Sequence, residues 1–154
     1  MSLGWGEVPA GEWASLKTKP GADQVPPGDY VVQAKKYLHF EPGESGVGSH
    51  VIVCETTADN ADAAVQGKEL HVRMNYDLNP ATDGRRKMNL ISQQNAKGLF
   101  EATGADVVTT AAGGTNIVET LKAIPTKAPK FITAVKDGKN ADFQELYNFR
   151  PFSS

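Results

Sequence analysis

Three stretches in the first half of the chain alternate apolar and polar residues with period two, the pattern of strands with one covered face. The first, within "VPPGDYVVQAKKYLHF", follows a Pro-Gly turn signal and is predicted as a strand over about 29–40. Tyr30, Val32, Ala34, Lys36, Leu38 and Phe40 share one parity, the more apolar one, and are expected to face a core. Lys35, Tyr37 and His39 share the other and are expected to face solvent or a ligand. After a glycine-rich loop at 41–49, "SHVIVCETT" reads as a second strand, "ADNADAAVQG" as a longer acidic connection and "KELHVRMNYDL" as a third strand. In the third strand Leu70, Val72, Met74 and Tyr76 lie on one parity, and His71, Arg73 and Asn75 on the other.

The period then changes. Met88, Ile91, Asn95, Leu99 and Ala102 recur at spacings of three and four, which predicts an amphipathic helix over about 84–103. Thr82 or Asp83 is expected to cap its start and Gly104 to end it, and Gly98 to permit close packing against a sheet. "ADVVTTAAGGTN" reads as loop, and "NIVETLKAI" as a short helix in preference to a strand. The last segment has a hairpin pattern: a strand over about 130–136, a turn including Asp137-Gly138, and a strand over about 142–150.

The fold class expected is mainly β with one principal helix, ordered β-β-β-α-β-β along the chain. A five-stranded barrel of the OB type has this order, with its helix between the third and fourth strands. The competing arrangement is an α+β sheet with one helix packed across it. Residues 1–27, rich in Gly and Pro, are expected to form an irregular arm ahead of a single domain over 28–152. Trp5 and Trp13 in that arm are expected to fold back onto an apolar patch.

Composition narrows the function classes. The 154 residues are 40% hydrophobic and 22% charged, ordinary for one globular domain. No apolar run is long enough to span a membrane, and the first residues lack the basic-then-apolar pattern of a secretory signal. With the single cysteine, Cys54, this makes the cytoplasm the expected compartment. Formal net charge is −2, but residues 28–82 carry −4 and residues 83–154 carry +3. A local positive face in the second half is therefore possible, without any global attraction for nucleic acid.

No catalytic signature is present. His39, His50 and His71 fall on three predicted strands without metal-ligand spacing, the GxSxG elbow is missing, and Cys54 sits in an apolar strand. The chain is expected not to be an enzyme and to need no metal or cofactor. Single-stranded nucleic acid is bound by cations that meet phosphates and rings that stack on bases. Candidates for that role are Lys35, Tyr37 and Arg73 on the first and third strands, Lys97 on the helix, and Lys136 and Lys139 beside the last turn. The triplet Arg85-Arg86-Lys87 falls in the first turn of the predicted helix, where a cation opposes the helix dipole by about 0.3–1 kcal/mol. Arg86 and Lys97, eleven residues apart, lie within about 20° on one outward stripe. The triplet is either solvated surface or a contact for an anion.

Taken together, "VPPGDYVVQA", "GKELHVRMNYDL", "RRKMNLISQQNAKGLFEATG" and "FQELYNFRP" resemble the segments of a phage-encoded, OB-like family from replication and recombination gene neighbourhoods. The likeness spans about 28–152, and the connection "TTADNADAAVQ" is longer than the family's usual turn there. The resemblance implies a non-catalytic, sequence-tolerant single-stranded DNA-binding protein. Its partners would include a phage recombinase, annealing protein or nuclease. The alternative is a structural or adaptor module that binds another phage or host protein.

Overall fold

The computed structural model describes residues 6, 7, 9–15, 23–138 and 144–153. Five antiparallel strands form one sheet: β1 (Gly28–Phe40), β2 (Gly48–Thr56), β3 (Glu69–Tyr76), β4 (Lys130–Asp137) and β5 (Gln144–Pro151), in the spatial order β3-β2-β1-β4-β5. The expected closed barrel is not formed. The edge strands β3 and β5 approach one another, but no ladder joins them and the sheet is open. The order of elements also departs from expectation in detail. A helix α1 (Ala10–Ser15) stands in the supposedly irregular arm, and the short helix expected from "NIVETLKAI" joins the principal helix between β3 and β4, which the order β-β-β-α-β-β leaves out. Trp13 on α1 is 68% exposed, against the expectation that it folds back, and Trp5 lies outside the described residues.

Helix α2 (Asp83–Thr103) begins at Thr82, whose hydroxyl accepts from the Arg85 amide at 3.2 Å. It ends at Gly104, which takes the left-handed conformation (φ 65°) that glycine adopts without a Cβ penalty. Helix α3 (Ile117–Ala123) is the short helix predicted from "NIVETLKAI", capped by the Asn116 side chain at the Glu119 amide. Burial along α2 is uneven. Ala96, Leu99, Phe100 and Ala102 are buried, while Leu90 and Ile91 are 53% and 46% exposed. The second half of the helix packs on the core, and the first half does not follow the predicted stripe through Ile91.

The core lies on the helix-bearing face of the sheet. Val32, Ile52, Leu70, Val72, Phe131 and Val135 supply its strands, and Leu99 and Leu121 its helices. Phe131 and Phe149 meet edge-on, with centroids 5.9 Å apart. Gly98 faces Phe149, but a Cβ there would stand 3.8 Å from the ring, an ordinary contact, so the expected close packing does not require a glycine. The segment just before β1 belongs to this body. Val25 is buried, and its amide and carbonyl both bond the Gln144 side chain, at 2.9 and 2.6 Å. The acidic connection at 58–67 is also pinned. The Asn60 side chain bonds the amide and carbonyl of Val31, at 2.9 and 2.8 Å, as a neighbouring strand residue would.

Register on β1 corrects the predicted faces. Ala34 pairs with Cys54, but Lys36 pairs with Val53, so Lys35 is an extra residue in a β-bulge. An extra residue inverts every later side chain, because the alternation has period two. Tyr37 and His39 therefore join Tyr30, Val32 and Ala34 on the core face, and Leu38 and Phe40 go to the other. Phe40, expected in the core, is 48% exposed, with the Arg73 guanidinium 5.5 Å from its ring centroid. A second irregularity, between Ile132 and Ala134 on β4, faces Asn148 on β5, whose φ is +54°.

Candidate ligand-binding cleft

The bulge brings four rings together at one end of the sheet. His39 pairs in register with His50, Tyr37 sits opposite Ile52, and Gly48 lies opposite Tyr76. Tyr76 leans across Gly48 so closely that a Cβ there would come 2.5 Å from its ring. A glycine is needed at 48 for space. His50 is central: its ring stacks on His39 at 4.4 Å, on Tyr76 at 4.8 Å and on Tyr37 at 5.8 Å between centroids. Two hydrogen bonds cross the cluster at 2.6 Å, Tyr37 Oη with His50 Nδ1 and Tyr76 Oη with His39 Nε2.

Burial pushes the Tyr37 and Tyr76 hydroxyls above their ordinary range, and nearby carboxylates add to it. His50 is held below the ordinary histidine value, first by burial and then by the neighbouring His39. At neutral pH His50 is thus a neutral ring, and the two tyrosines are hydroxyls able to donate.

These rings form one wall of a cleft of about 710 Å³. Met74 on β3, Ala96 on α2 and Ile117, Val118 and Leu121 on α3 give it an apolar floor, with Glu41 and Lys122 also among its lining. The size and mixed lining are those of a site for a small ligand or one unit of a larger one. A second cleft of about 660 Å³, lined by Lys97, Phe100 and Val107 among others, shares Gln93 and Ile117 with the first.

The first half of α2 is fastened to the cleft by polar side chains, which explains why it needs no apolar stripe. Asn89 accepts from the Asp77 amide and donates to its carbonyl, both at 2.8 Å, and the Ser92 hydroxyl donates to the Asn75 carbonyl. Arg85 reaches Asp77 at 3.0 Å and the Ser45 carbonyl at 3.1 Å. One guanidinium thereby ties the β1–β2 loop, the end of β3 and the helix start together. Arg86 pairs with Asp83 in its own turn, and Lys87 is exposed with no hydrogen-bond or ion-pair partner among the described residues. The basic triplet thus divides into a clamp, a local ion pair and an open cation.

The remaining predicted residues are scattered. Lys35 is exposed at the bulge, Arg73 lies on the outer face, and Lys97 borders the second cleft. Lys136 pairs with Glu145 at 3.4 Å and sits 4.8 Å from the Tyr147 ring centroid. Lys136 and Arg73 stand at opposite ends of the sheet. Val135 is in register with Gly28, and Arg73, through Val51, with Leu38. That is about ten residues, roughly 30 Å, along β1. Lys139 lies outside the described residues. Tyr37 and the triplet are brought to one end of the sheet; Lys136 is not.

Sequence reasoning missed His39, His50, Tyr76 and Gly48 as a unit. No sequence signal marked them: that Ala34 and Tyr37 both point inward, three apart where strict alternation requires two or four, follows only from the register.

Cys54 is buried, and burial drives its thiol pKa far above the ordinary value, so it is no nucleophile at neutral pH. Among the described residues no group of three or more His, Cys, Asp or Glu side chains could hold a metal ion. Among them, too, no helix is long and apolar enough to cross a membrane. No family model and no curated protein matches the sequence.

Proposed function

We propose that the chain is an OB-like, non-catalytic module that binds single-stranded DNA with little sequence preference, as in the phage replication and recombination family that its segments resemble. The observation that carries this reading is the cleft walled by four rings, Tyr37, His39, His50 and Tyr76, next to the basic start of α2. Bases stack on rings irrespective of sequence, and phosphates seek cations nearby. The strand order supports it: β1 is flanked by β2 and β4, and the α2 helix follows β3, as in a five-stranded, partly open OB barrel. The β1–β2 loop, which contributes Glu41 to the cleft, is one of the loops that OB modules use for binding. A replication role would place the protein in the host cytoplasm.

Fluorescence anisotropy with labelled oligo-dT tests the reading. Binding at low salt should weaken as salt rises, with a logarithmic slope of about −0.7 for each phosphate neutralised. Absence of binding at low salt would end it. The acidic balance favours few contacts and a shallow slope. Lys97→Glu, in the adjoining cleft that shares Gln93, should weaken binding several-fold, whereas Lys136→Glu, at the far end of the sheet, should leave it unchanged.

A second reading, an adaptor that binds a recombinase, annealing protein or nuclease, is favoured by one observation. Leu78, Leu90 and Ile91 are 75%, 53% and 46% exposed, more apolar surface than this part of the chain needs. Co-purification with such a protein, lost in Leu90→Ser/Ile91→Ser, together with no oligonucleotide binding, would favour it over the first.

A further inference from the structure

We infer that the ring-lined cleft is a pocket for one neutral nucleobase, turned in from the unpaired strand; this rests on the single-strand-binding reading and specifies how it works. Most polar groups of the cleft are already committed. The Tyr37 and Tyr76 hydroxyls are engaged with His50 and His39. Asn89 and Ser92 are engaged with the backbone at the end of β3. Two uncharged groups are left. Whichever tautomer His50 adopts, its bond with Tyr37 uses Nδ1 and leaves Nε2 for a ligand. The Gln93 amide, a donor and an acceptor in one plane, has no hydrogen-bond partner among the described residues. A planar group that offers both donor and acceptor atoms along one edge matches this pair, and nucleobases are such groups.

Charge excludes the other part of a nucleotide. Asp77 is neutralised by Arg85, and Lys122, the one Lys or Arg among the lining residues, lies 3.4 Å from Glu119. Glu41 stands 3.5 Å from His39. A phosphate inside would meet no unpaired Lys or Arg, whereas a neutral ring would meet other rings and the apolar floor of Met74 and Leu121. The phosphates would stay outside, toward Lys97, which borders the adjoining cleft that shares Gln93 and Ile117 with this one. The volume of about 710 Å³ is ample for a base with its sugar at the mouth.

The experiment compares a labelled oligo-dT, a strand of equal length made of abasic sites, and an oligonucleotide with one central 2-aminopurine, all at low salt. The abasic strand should bind at least tenfold more weakly than oligo-dT, and 2-aminopurine emission should fall several-fold on binding. Gln93→Leu replaces an exposed side chain and should fold as the parent does. It should bind oligo-dT about three- to tenfold more weakly, with less quenching, because it removes hydrogen bonds to the base. His50→Phe keeps a ring, removes Nε2 and should act in the same direction. If oligo-dT and the abasic strand bind alike, with 2-aminopurine unquenched and Gln93→Leu unchanged, the pocket is overturned while single-strand binding stands. If oligo-dT does not bind at all, both fall.

Discussion

The two halves of β1 are one strand with two fates. Before Lys35, the inward residues Tyr30, Val32 and Ala34 are buried in an apolar core. After it, the inward residues Tyr37 and His39 are partly open rings, hydrogen-bonded to partners on β2 and β3. The first half would serve as a core strand in any sandwich or barrel. The second half makes a wall with chemistry on it. Between them stands one extra residue. A bulge costs little locally, yet it decides which of the five side chains of the second half look inward. Lys36, Leu38 and Phe40 would otherwise occupy the wall, and the cleft would hold an ammonium, a leucine and a phenylalanine in place of two hydrogen-bonded rings.

The hardest test of that contrast is to delete Lys35. The strand must then either invert Tyr37–Phe40 or shift its pairing with β2, and either choice exposes apolar residues or buries Lys36. We expect a loss of about 4 kcal/mol or more, read as a collapse of the urea midpoint, with the ring cluster gone. Lys35→Ala keeps the extra residue, and because Lys35 is exposed it should stay within about 0.5 kcal/mol of the parent. If the deletion and the alanine behave alike, the bulge does not separate the halves.

Gly48→Ala is next in size. The new methyl would stand 2.5 Å from the Tyr76 ring, so that ring must leave its place beside His50. A cost of about 1–3 kcal/mol is expected, with altered ring-proton shifts for His50 and His39. Gly43→Ala in the adjoining loop, where a Cβ meets nothing within 4 Å, gives the baseline. Tyr37→Phe is milder. It keeps the ring and removes the hydroxyl that bonds His50, for about 0.5–1.5 kcal/mol by thermal or urea unfolding. Equal stability to the parent would mean that the Tyr37–His50 bond adds nothing to the stacking and the His39–Tyr76 bond.

Much of the scaffold could be read from periodicity. The three N-terminal strands, α2 with its Thr82 and Gly104 ends, and the closing hairpin all carry local signals, each recorded within a dozen or so residues. The site could not, and for physical reasons. A bulge adds a residue without changing composition, so Lys35 looks like any lysine in a strand. The four rings come from three strands, and their stacking depends on registers that no single strand encodes. Arg85 is a clamp because Ser45, forty residues earlier, is folded against it; from the chain alone it could only be a cation in a first helical turn. Closure was misjudged for a related reason. Whether β3 and β5 pair depends on the coiling of the whole sheet, and the β4–β5 irregularity at Asn148 alters that coiling without any mark in the alternation.

The smallest effect expected is electrostatic, and it separates the halves without changing any shape. The first half of β1 buries no group that titrates near neutrality. Against the second, His50 on β2 is kept neutral by burial, by His39 beside it and by Lys122 on α3, with Glu41 acting in the opposite sense. A histidine with a lowered folded pKa takes up protons more readily when unfolded. Its stabilising share is therefore fully present above the unfolded value, about 6.5, and is lost as pH falls below it. Urea midpoints should thus be flat above pH 7 and decline on acidification below 6.5, and the His50 ring protons should titrate with a midpoint under 6.5. His50→Phe should flatten the part of the decline that belongs to this ring. Parallel declines in the parent and His50→Phe would assign the acid sensitivity to other groups, and the second half of β1 would then differ from the first in hydrogen bonding alone.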